Sequence, residues 1–316
     1  DMADVGVIVN ISEDHLGLDG IETLEEMADV KSLVVEAVKP GGYAVLNADD
    51  KMTPFFLERI RCNIILFSMN KDNPLVLAHI RNGGIAVLRR GRSLYLQNGN
   101  KTIRLLKTAE IPAAIGGILE CNIENALAAT AAMYALGVPP NILRRALHTF
   151  NADEVQNPGR FNLYDMGGFR VLLDYGHNPA GYRAAVQFIR QLGAARRIGI
   201  LGMPGDRLDR QIRETGAICA GEFSRYIIKE DRIKRGRQPG EVAALLRDAL
   251  MERGIDLNDV ILIENELEAL KYAVRHAVPG DLIVMFHEDF KPAAEWIHNY
   301  QNKTWTACEK PCIISE

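Results

Sequence analysis

At 316 residues, 47% of them apolar and 25% charged, the chain is long enough for two domains with separate cores and ordinary in composition for a globular protein. A formal net charge of −4 argues against a partner held by phosphate neutralisation, so no nucleic acid is expected. No apolar run approaches the roughly 20 residues of a membrane span and no signal peptide is evident, so no membrane is expected.

Five scattered cysteines (Cys62, Cys121, Cys219, Cys308, Cys312) suit a reducing cytoplasm. The Cys308/Cys312 pair has no His or Cys nearby and reads as a frayed tail rather than a metal site.

Val5 to Asn10 (VGVIVN) is rich in Val and Ile and too short for a helix, which predicts a buried parallel strand. Such a strand needs a neighbour on each side, so the chain reads as truncated at its amino end. A helix is expected over about Thr23–Lys39, opened by the capping box of Thr23 and Glu26. Leu24, Met27, Ala28, Val34, Val35 and Val38 share one face, and Lys31 falls on it, where lost hydration would favour the neutral amine. A lysine snorkelling to the surface is the alternative.

Pro40-Gly41-Gly42 closes this helix, Tyr43–Leu46 is a strand leading into Asn47-Ala48-Asp49-Asp50, and Ile64–Phe67 is a third strand. The alternating runs of Gly84–Leu106 predict an antiparallel meander. Gly116-Gly117 precedes an alanine-rich helix, Ala126–Leu136, for which Asn122 is the expected N-cap. A short helix follows over Pro139–Phe150.

The stretch NPGRFNLYDMGGFRVLLDYGHNP, Asn157–Pro179, opens on a Pro-Gly joint and ends in Asp174, His177 and Asn178 behind the buried strand Val171–Leu173. It reads as the hinge between domains 1–156 and 157–316 and as one wall of the cleft between them. Beyond it, strands at Arg197–Leu201, Tyr226–Lys229, Val260–Ile263 and Leu282–Phe286 alternate with helices. These helices are expected at about Leu208–Gly221, Glu241–Arg253 and Glu266–Ala277, with a last one near Pro292–Tyr300. The alternation predicts a mostly parallel, doubly wound sheet with right-handed crossovers.

Strand ends gather His15, Asn47, Asp49, Asp50, Asn125, Asp174 and His177, which together with Lys31 suit a hard cation such as Mg²⁺ holding phosphates. Neither G-x-S-x-G nor the phosphate loop G-x-x-x-x-G-K-[ST] occurs, which excludes a self-sufficient ATPase of that type for the chain as given. Gly199, Gly202 and Gly205 after a strand, with Glu230 and Asp231 after the next, also admit an NAD-binding oxidoreductase, although G-x-x-G-x-x-G departs from the usual spacing. A non-catalytic binding remnant is the third reading.

Several motifs then fall in order: Asn10-Ile11-x-x-Asp14-His15-Leu16, Lys31, Asn47–Asp50, Asn122-x-x-Asn125-Ala126-Leu127, Gly159-Arg160-Phe161, Asp174–Pro179 and Gly205-Asp206-Arg207. Together they resemble the Mur ligase superfamily, ATP-dependent enzymes that form amide bonds. The resemblance implies an α/β fold: an incomplete central ATP-binding domain, with a parallel sheet and a small antiparallel sheet, followed by a Rossmann-like C-terminal domain.

Two stretches, Asp14–Ile21 and Lys229-Glu230-Asp231 with Arg235-Gly236-Arg237, are similar to the branch of that superfamily that joins arginine to a β-carboxylate of polyaspartate. The resemblance implies ATP and Mg²⁺, an acyl phosphate intermediate, and closure of the domains around the nucleophile. It implies a metal ligand at His15, a carbamylated Lys31 supporting the metal, and Arg160 reaching the γ-phosphate, these three being the catalytic set. Asn122 and Asn125 correspond to the adenine side, and Asp174, with His177 beside it, to the ribose side. Asp206 and Arg207 correspond to a substrate loop, and Arg235 and Arg237 to ligands of the incoming amino acid's carboxylate. It also implies a homo-oligomer with a phosphate-loop segment and an ATP-grasp module upstream in the same enzyme, without which this fragment is expected to be inactive or nearly so.

Overall fold

In the computed structural model the described residues are 2–13 and 20–308, and they form two compact units, Asp1–Ala152 and Asp153–Glu316. His15 and the rest of Asp14–Asp19 lie outside the described residues, as does Cys312.

The first unit runs β1 (Ala3–Ile8), α1 (Leu24–Glu36), β2 (Val38–Asn47), α2 (Thr53–Leu57), β3 (Asn63–Ser68) and α3 (Pro74–Arg81). It continues through β4 (Ile85–Arg90), β5 (Ser93–Asn98), β6 (Lys101–Lys107), α4 (Glu120–Ala135) and α5 (Pro140–Thr149). The strands make one sheet in chain order, β1 to β4 parallel and β5 and β6 antiparallel, so the meander continues the parallel sheet rather than standing apart.

Period-two alternation divides each strand between two cores. Ala44, Leu46, Leu66, Ala86 and Leu88 face a core with Ala28 and Val35 of α1, Phe56 of α2 and Val76 of α3. Val45, Ile65, Phe67 and Val87 face the opposite core, where α4 lays Ile123, Leu127 and Ala131 against them.

Four expectations for this unit are corrected. Helix α1 ends at Glu36, and Pro40-Gly41-Gly42 lie inside β2. The register there shifts between Ala3↔Val38 and Val5↔Tyr43, forming a bulge. Bulge residues are unpaired, so a proline without an N–H is tolerated there.

Lys31 is exposed, as are Val34, Val30 and Leu33, because the core side of α1 runs through Met27, Ala28, Ser32 and Val35. The snorkelling alternative for Lys31 is the one realised. Helix α4 starts at Glu120, which puts Asn122 in its first turn rather than at the cap. Finally, β1 pairs only with β2 among the described residues and is half-buried rather than covered on both sides.

The second unit contains β7 (Asn162–Asp165), β8 (Arg170–Asp174), α6 (Pro179–Gln191), β9 (Arg196–Leu201), α7 (Asp209–Cys219) and β10 (Arg225–Ile228). It ends with α8 (Glu241–Glu252), β11 (Val260–Leu262), α9 (Glu266–Arg275), β12 (Asp281–Phe286) and α10 (Phe290–Cys308). The strand order is β11-β10-β9-β12-β8-β7, all parallel except β7, with element bounds close to those read from the sequence.

The chain steps from β8 to β9 over the place that β12 later fills, then outward through β10 to β11 before returning. The connections from β8, β9 and β10 thus run one way along the sheet and only the return from β11 to β12 reverses, so the carboxyl ends around β12 form the crevice where such sheets bind ligands. Every residue of β12 is buried. Among the described residues no helix is long and apolar enough to cross a membrane.

Tyr182 of α6 fixes one side of this crevice. It is fully buried, stacks on Phe286 with ring centroids 3.7 Å apart, and its hydroxyl donates to the Gly202 carbonyl (2.6 Å) while accepting the Gly202 amide (3.2 Å). Tyr182→Phe keeps the ring and removes both hydrogen bonds, leaving buried backbone groups without this partner. The expected cost is about 2 kcal/mol, read as a lower urea midpoint at unchanged slope.

The carboxyl edge of the second sheet as candidate active site

Asp174 ends β8 and is buried. Burial pushes its carboxyl up to about 6, against the opposing pull of the Phe161 N–H, the nearby Arg160 charge and the Tyr175 and Gly176 amides. Its Oδ2 accepts from Phe161 N at 3.1 Å, and its backbone carbonyl accepts from His287 N at 3.0 Å. The joint Gly159-Arg160-Phe161 is thereby curled over the strand end, with Gly159 at φ 72° and Phe161 at φ 53°. Asn162 holds the same turn, accepting the Gly159 amide at 2.6 Å and donating to the Asn157 carbonyl at 3.1 Å.

Arg160 is exposed, its guanidinium 4.8 Å from the centre of the Tyr175 ring. The His177 ring lies 4.9 Å beyond Tyr175 and donates through Nδ1 to the Tyr175 carbonyl at 3.0 Å. Asn178 caps α6 through the Gly181 amide (2.8 Å), with Pro179 in the first turn as the sequence suggested.

A second group lies at the ends of β10 and β12. The Lys229 ammonium is buried between Asp231 and Glu266, 2.7 Å from each; burial is the largest single influence and lowers its pKa, but the two carboxylates together outweigh it and hold the amine above its ordinary value. Glu266 also accepts the amides of Glu288 (2.6 Å) and Asp289 (3.2 Å). Glu230 receives the Gly240 and Ala243 amides at the start of α8 and pairs with Lys234.

The four predicted substrate residues are brought together, but with different work to do. Asp206 pairs with both Arg207 (3.1 Å) and Arg235 (2.8 Å). Arg207 is buried and donates to the His177 carbonyl. Arg237 spends its guanidinium on the Gly205 and Arg207 carbonyls, Asp209 and Glu241. Arg207 and Arg237 therefore brace their own loops, their guanidinium donors being engaged by neighbouring carbonyls and carboxylates. Arg235 keeps an exposed flank on an open pocket of ≈ 860 Å³ that also includes Tyr175, Glu266 and Glu288, with six carboxylates and three cationic side chains on its walls.

In the first unit, Asn122 donates to the Ala113 carbonyl (2.8 Å) and accepts from the exposed Asn125 (3.3 Å), so the two asparagines are adjacent on α4. Asn47 at the end of β2 bonds Glu124 (2.9 Å), whose carboxyl is raised by burial. Asp49 is taken up by Ser68, Met69 N and Asn73, and Asp50 by Ile11 N and Met52 N. Among the described residues no group of three or more His, Cys, Asp or Glu is placed to hold a metal, and the Lys31 amine is not by itself a ligand. The described residues do not by themselves make a magnesium shell, and His15 lies outside them.

Sequence reasoning passed over His287 and Glu266. The signal was available: His287-Glu288-Asp289 directly follows the last apolar strand, the same position that singled out Asp174.

The Mur ligase middle-domain family model matches residues 2–133, and the Mur ligase glutamate ligase domain model matches 159–286. The chain belongs to the Mur ligase superfamily. It is 41% identical over 298 residues to cyanophycin synthetase of Synechocystis sp., covering 94% of this chain and 34% of that protein. It is 29% identical to UDP-N-acetylmuramoyl-L-alanyl-D-glutamate–2,6-diaminopimelate ligase of Caldanaerobacter subterraneus, over 89% of this chain and 53% of that one. Among solved structures it is similar to Mycobacterium tuberculosis folylpolyglutamate synthase, with TM-score 0.66 and 20% identity, covering 93% of this chain and 64% of that one. The chain thus spans about a third of the length of the cyanophycin synthetases it matches.

The oxidoreductase reading of Gly199, Gly202 and Gly205 is not supported, since all three fall inside the ligase-domain match. Their physical reason is packing: a Cβ on Gly202 would collide with the Lys229 side chain, and one on Gly205 with the Lys234 carbonyl.

Asp174 gives a pH signature. Its folded value, about 6, lies above its ordinary 3.8, so the folded state holds the proton more tightly and this group's contribution to stability falls as pH rises between those values. Asp174→Asn does not titrate. The stability of the variant relative to wild type is expected to rise by about 2 kcal/mol from pH 4 to pH 6, measured by urea unfolding across that range.

Proposed function

We propose that this chain is the ligase module of an enzyme of the cyanophycin-synthetase type, joining the α-amine of arginine to a β-carboxylate of a polyaspartate chain at the expense of ATP. The observation that carries this reading is the 41% identity to a cyanophycin synthetase across both units, against 29% to a diaminopimelate ligase of the same superfamily. The exposed Arg160 beside Tyr175, at the carboxyl ends around β12, supports it.

The chemistry has two steps. A carboxylate oxygen bonds to the γ-phosphorus as the bond to ADP breaks, giving an acyl phosphate. The arginine amine then attacks the acyl carbon, phosphate leaves, and the nitrogen gives up its proton. Arg160 is assigned to the γ-phosphate, where a guanidinium spreads developing charge. Asn122 and Asn125 take the adenine side, Asp174 and His177 the ribose side.

Arg235, aligned by Asp206, takes the carboxylate of the incoming amino acid, while Arg207 and Arg237 hold the loops that present it. The nucleotide enters with magnesium. His15 and a carbamylated Lys31 are the metal-side assignment that the family resemblance supports. The enzyme is read as a cytoplasmic homo-oligomer with its phosphate loop and an ATP-grasp module elsewhere in the same chain.

In the full-length enzyme, phosphate release from ATP is expected only when both arginine and a polyaspartate-based primer are present. Equal release with diaminopimelate in place of arginine, or binding of NAD and not ATP, overturns the assignment. Arg160→Ala is expected to lower kcat about a hundredfold or more.

A further inference from the structure

We infer that His287 is a positioning residue for Arg160, its imidazole latching the Gly159 carbonyl so that the curled joint keeps one conformation and presents the guanidinium at a fixed place. This rests on the reading of Arg160 as the arginine at the γ-phosphate.

His287 directly follows β12, is buried, and reaches across 128 residues of sequence to bond Gly159 O through Nε2 at 3.1 Å. A carbonyl only accepts, so Nε2 must carry the proton and Nδ1 is left as a bare lone pair. Among the described residues it is a buried side-chain nitrogen with no hydrogen-bond partner. Burial holds the ring neutral by lowering its pKa, consistent with that tautomer.

An apolar side chain would avoid leaving a buried acceptor unmet, and groups kept at such a cost mark places where the ring does something else. What it does is visible in the contacts. A Cβ on Gly159 would sit 3.0 Å from Cε1 and 3.1 Å from Nε2 of His287, so this edge of the ring lies close against Gly159. The His287 amide meanwhile holds the Asp174 carbonyl, whose carboxylate holds Phe161 N.

The Gly159, Arg160 and Phe161 amides are taken by Asn162, Asn157 and Asp174, and His287 supplies the donor to the Gly159 carbonyl. Two left-handed positions, Gly159 and Phe161, flank Arg160. Such a turn is unfavourable for Phe161 and persists only when its surroundings over-determine it. The guanidinium that emerges meets Tyr175, whose ring is itself 5.8 Å from that of His287.

The test compares three variants in the full-length enzyme. His287→Leu removes the donor. His287→Gln carries an amide N–H that can reach Gly159, and His287→Asn carries one that is too short. Leu and Asn are expected to lower kcat about tenfold to a hundredfold with little change in KM for ATP, and Gln to recover most of the loss. In an Arg160→Ala background the Leu substitution is expected to cost nothing further, because the two act as one unit.

Amide exchange at residues 159–161 is expected to be about tenfold faster in the Leu variant, with β8 unchanged. An undiminished kcat in Leu and Asn, or a loss that adds to that of Arg160→Ala, overturns the latch. If the Leu variant does not fold, the contrast between Gln and Asn decides. Should wild type show no arginine-dependent turnover, the proposed function fails, and amide exchange alone still decides whether His287 holds the joint.

Discussion

The constraint on which the second unit depends is the burial of the Asp174 carboxylate at the tip of β8. A carboxylate taken out of water is costly unless donors surround it. Phe161 can donate to it only if the chain between Pro158 and Asn162 curls tightly, which is why a bulky residue accepts φ 53° there. The curl in turn sets Arg160 outside the core and Gly159 against His287. One desolvated charge thus decides the backbone path of the joint, and the joint decides where the guanidinium emerges.

The same rule sorts the other charges along this edge. Lys229 is neutralised from two sides, and its partner Glu266 carries the restraint on to the amides after β12. Losing either partner would leave an unmatched charge in the interior, so such a cluster acts as a rigid fastening more than as a source of net stability. Arg207 and Arg237 are fastened in the same way to carbonyls of neighbouring loops. Arg160 and Arg235 keep an exposed side. Charges turned inward build the edge, and charges turned outward are the ones that can meet a substrate.

Similarity enters at two levels that carry different weight. Likeness at 20% identity to a folylpolyglutamate synthase speaks for the fold, which many substrates share. Identity of 41% along 94% of the chain runs through nearly all of both units, and so speaks for more than the fold.

The sequence by itself determined the alternation of elements. Apolar runs of period two and helices of period 3.6 are local properties, so the strands and helices after Pro179 were legible without coordinates. So was the cluster at Asp174, because polar residues at the end of an apolar strand mark a sheet's carboxyl edge. Tertiary structure decided what spacing cannot. Lys31 sits one position from the core-facing Ser32 on α1, and a rotation of one residue separates a buried amine from a solvated one. Pro40-Gly41-Gly42 signals a break, but whether that break is a turn or a bulge depended on the partner strand β1. His287 and Gly159 lie 128 residues apart, and their meeting was settled only when β12 came to rest beside β8.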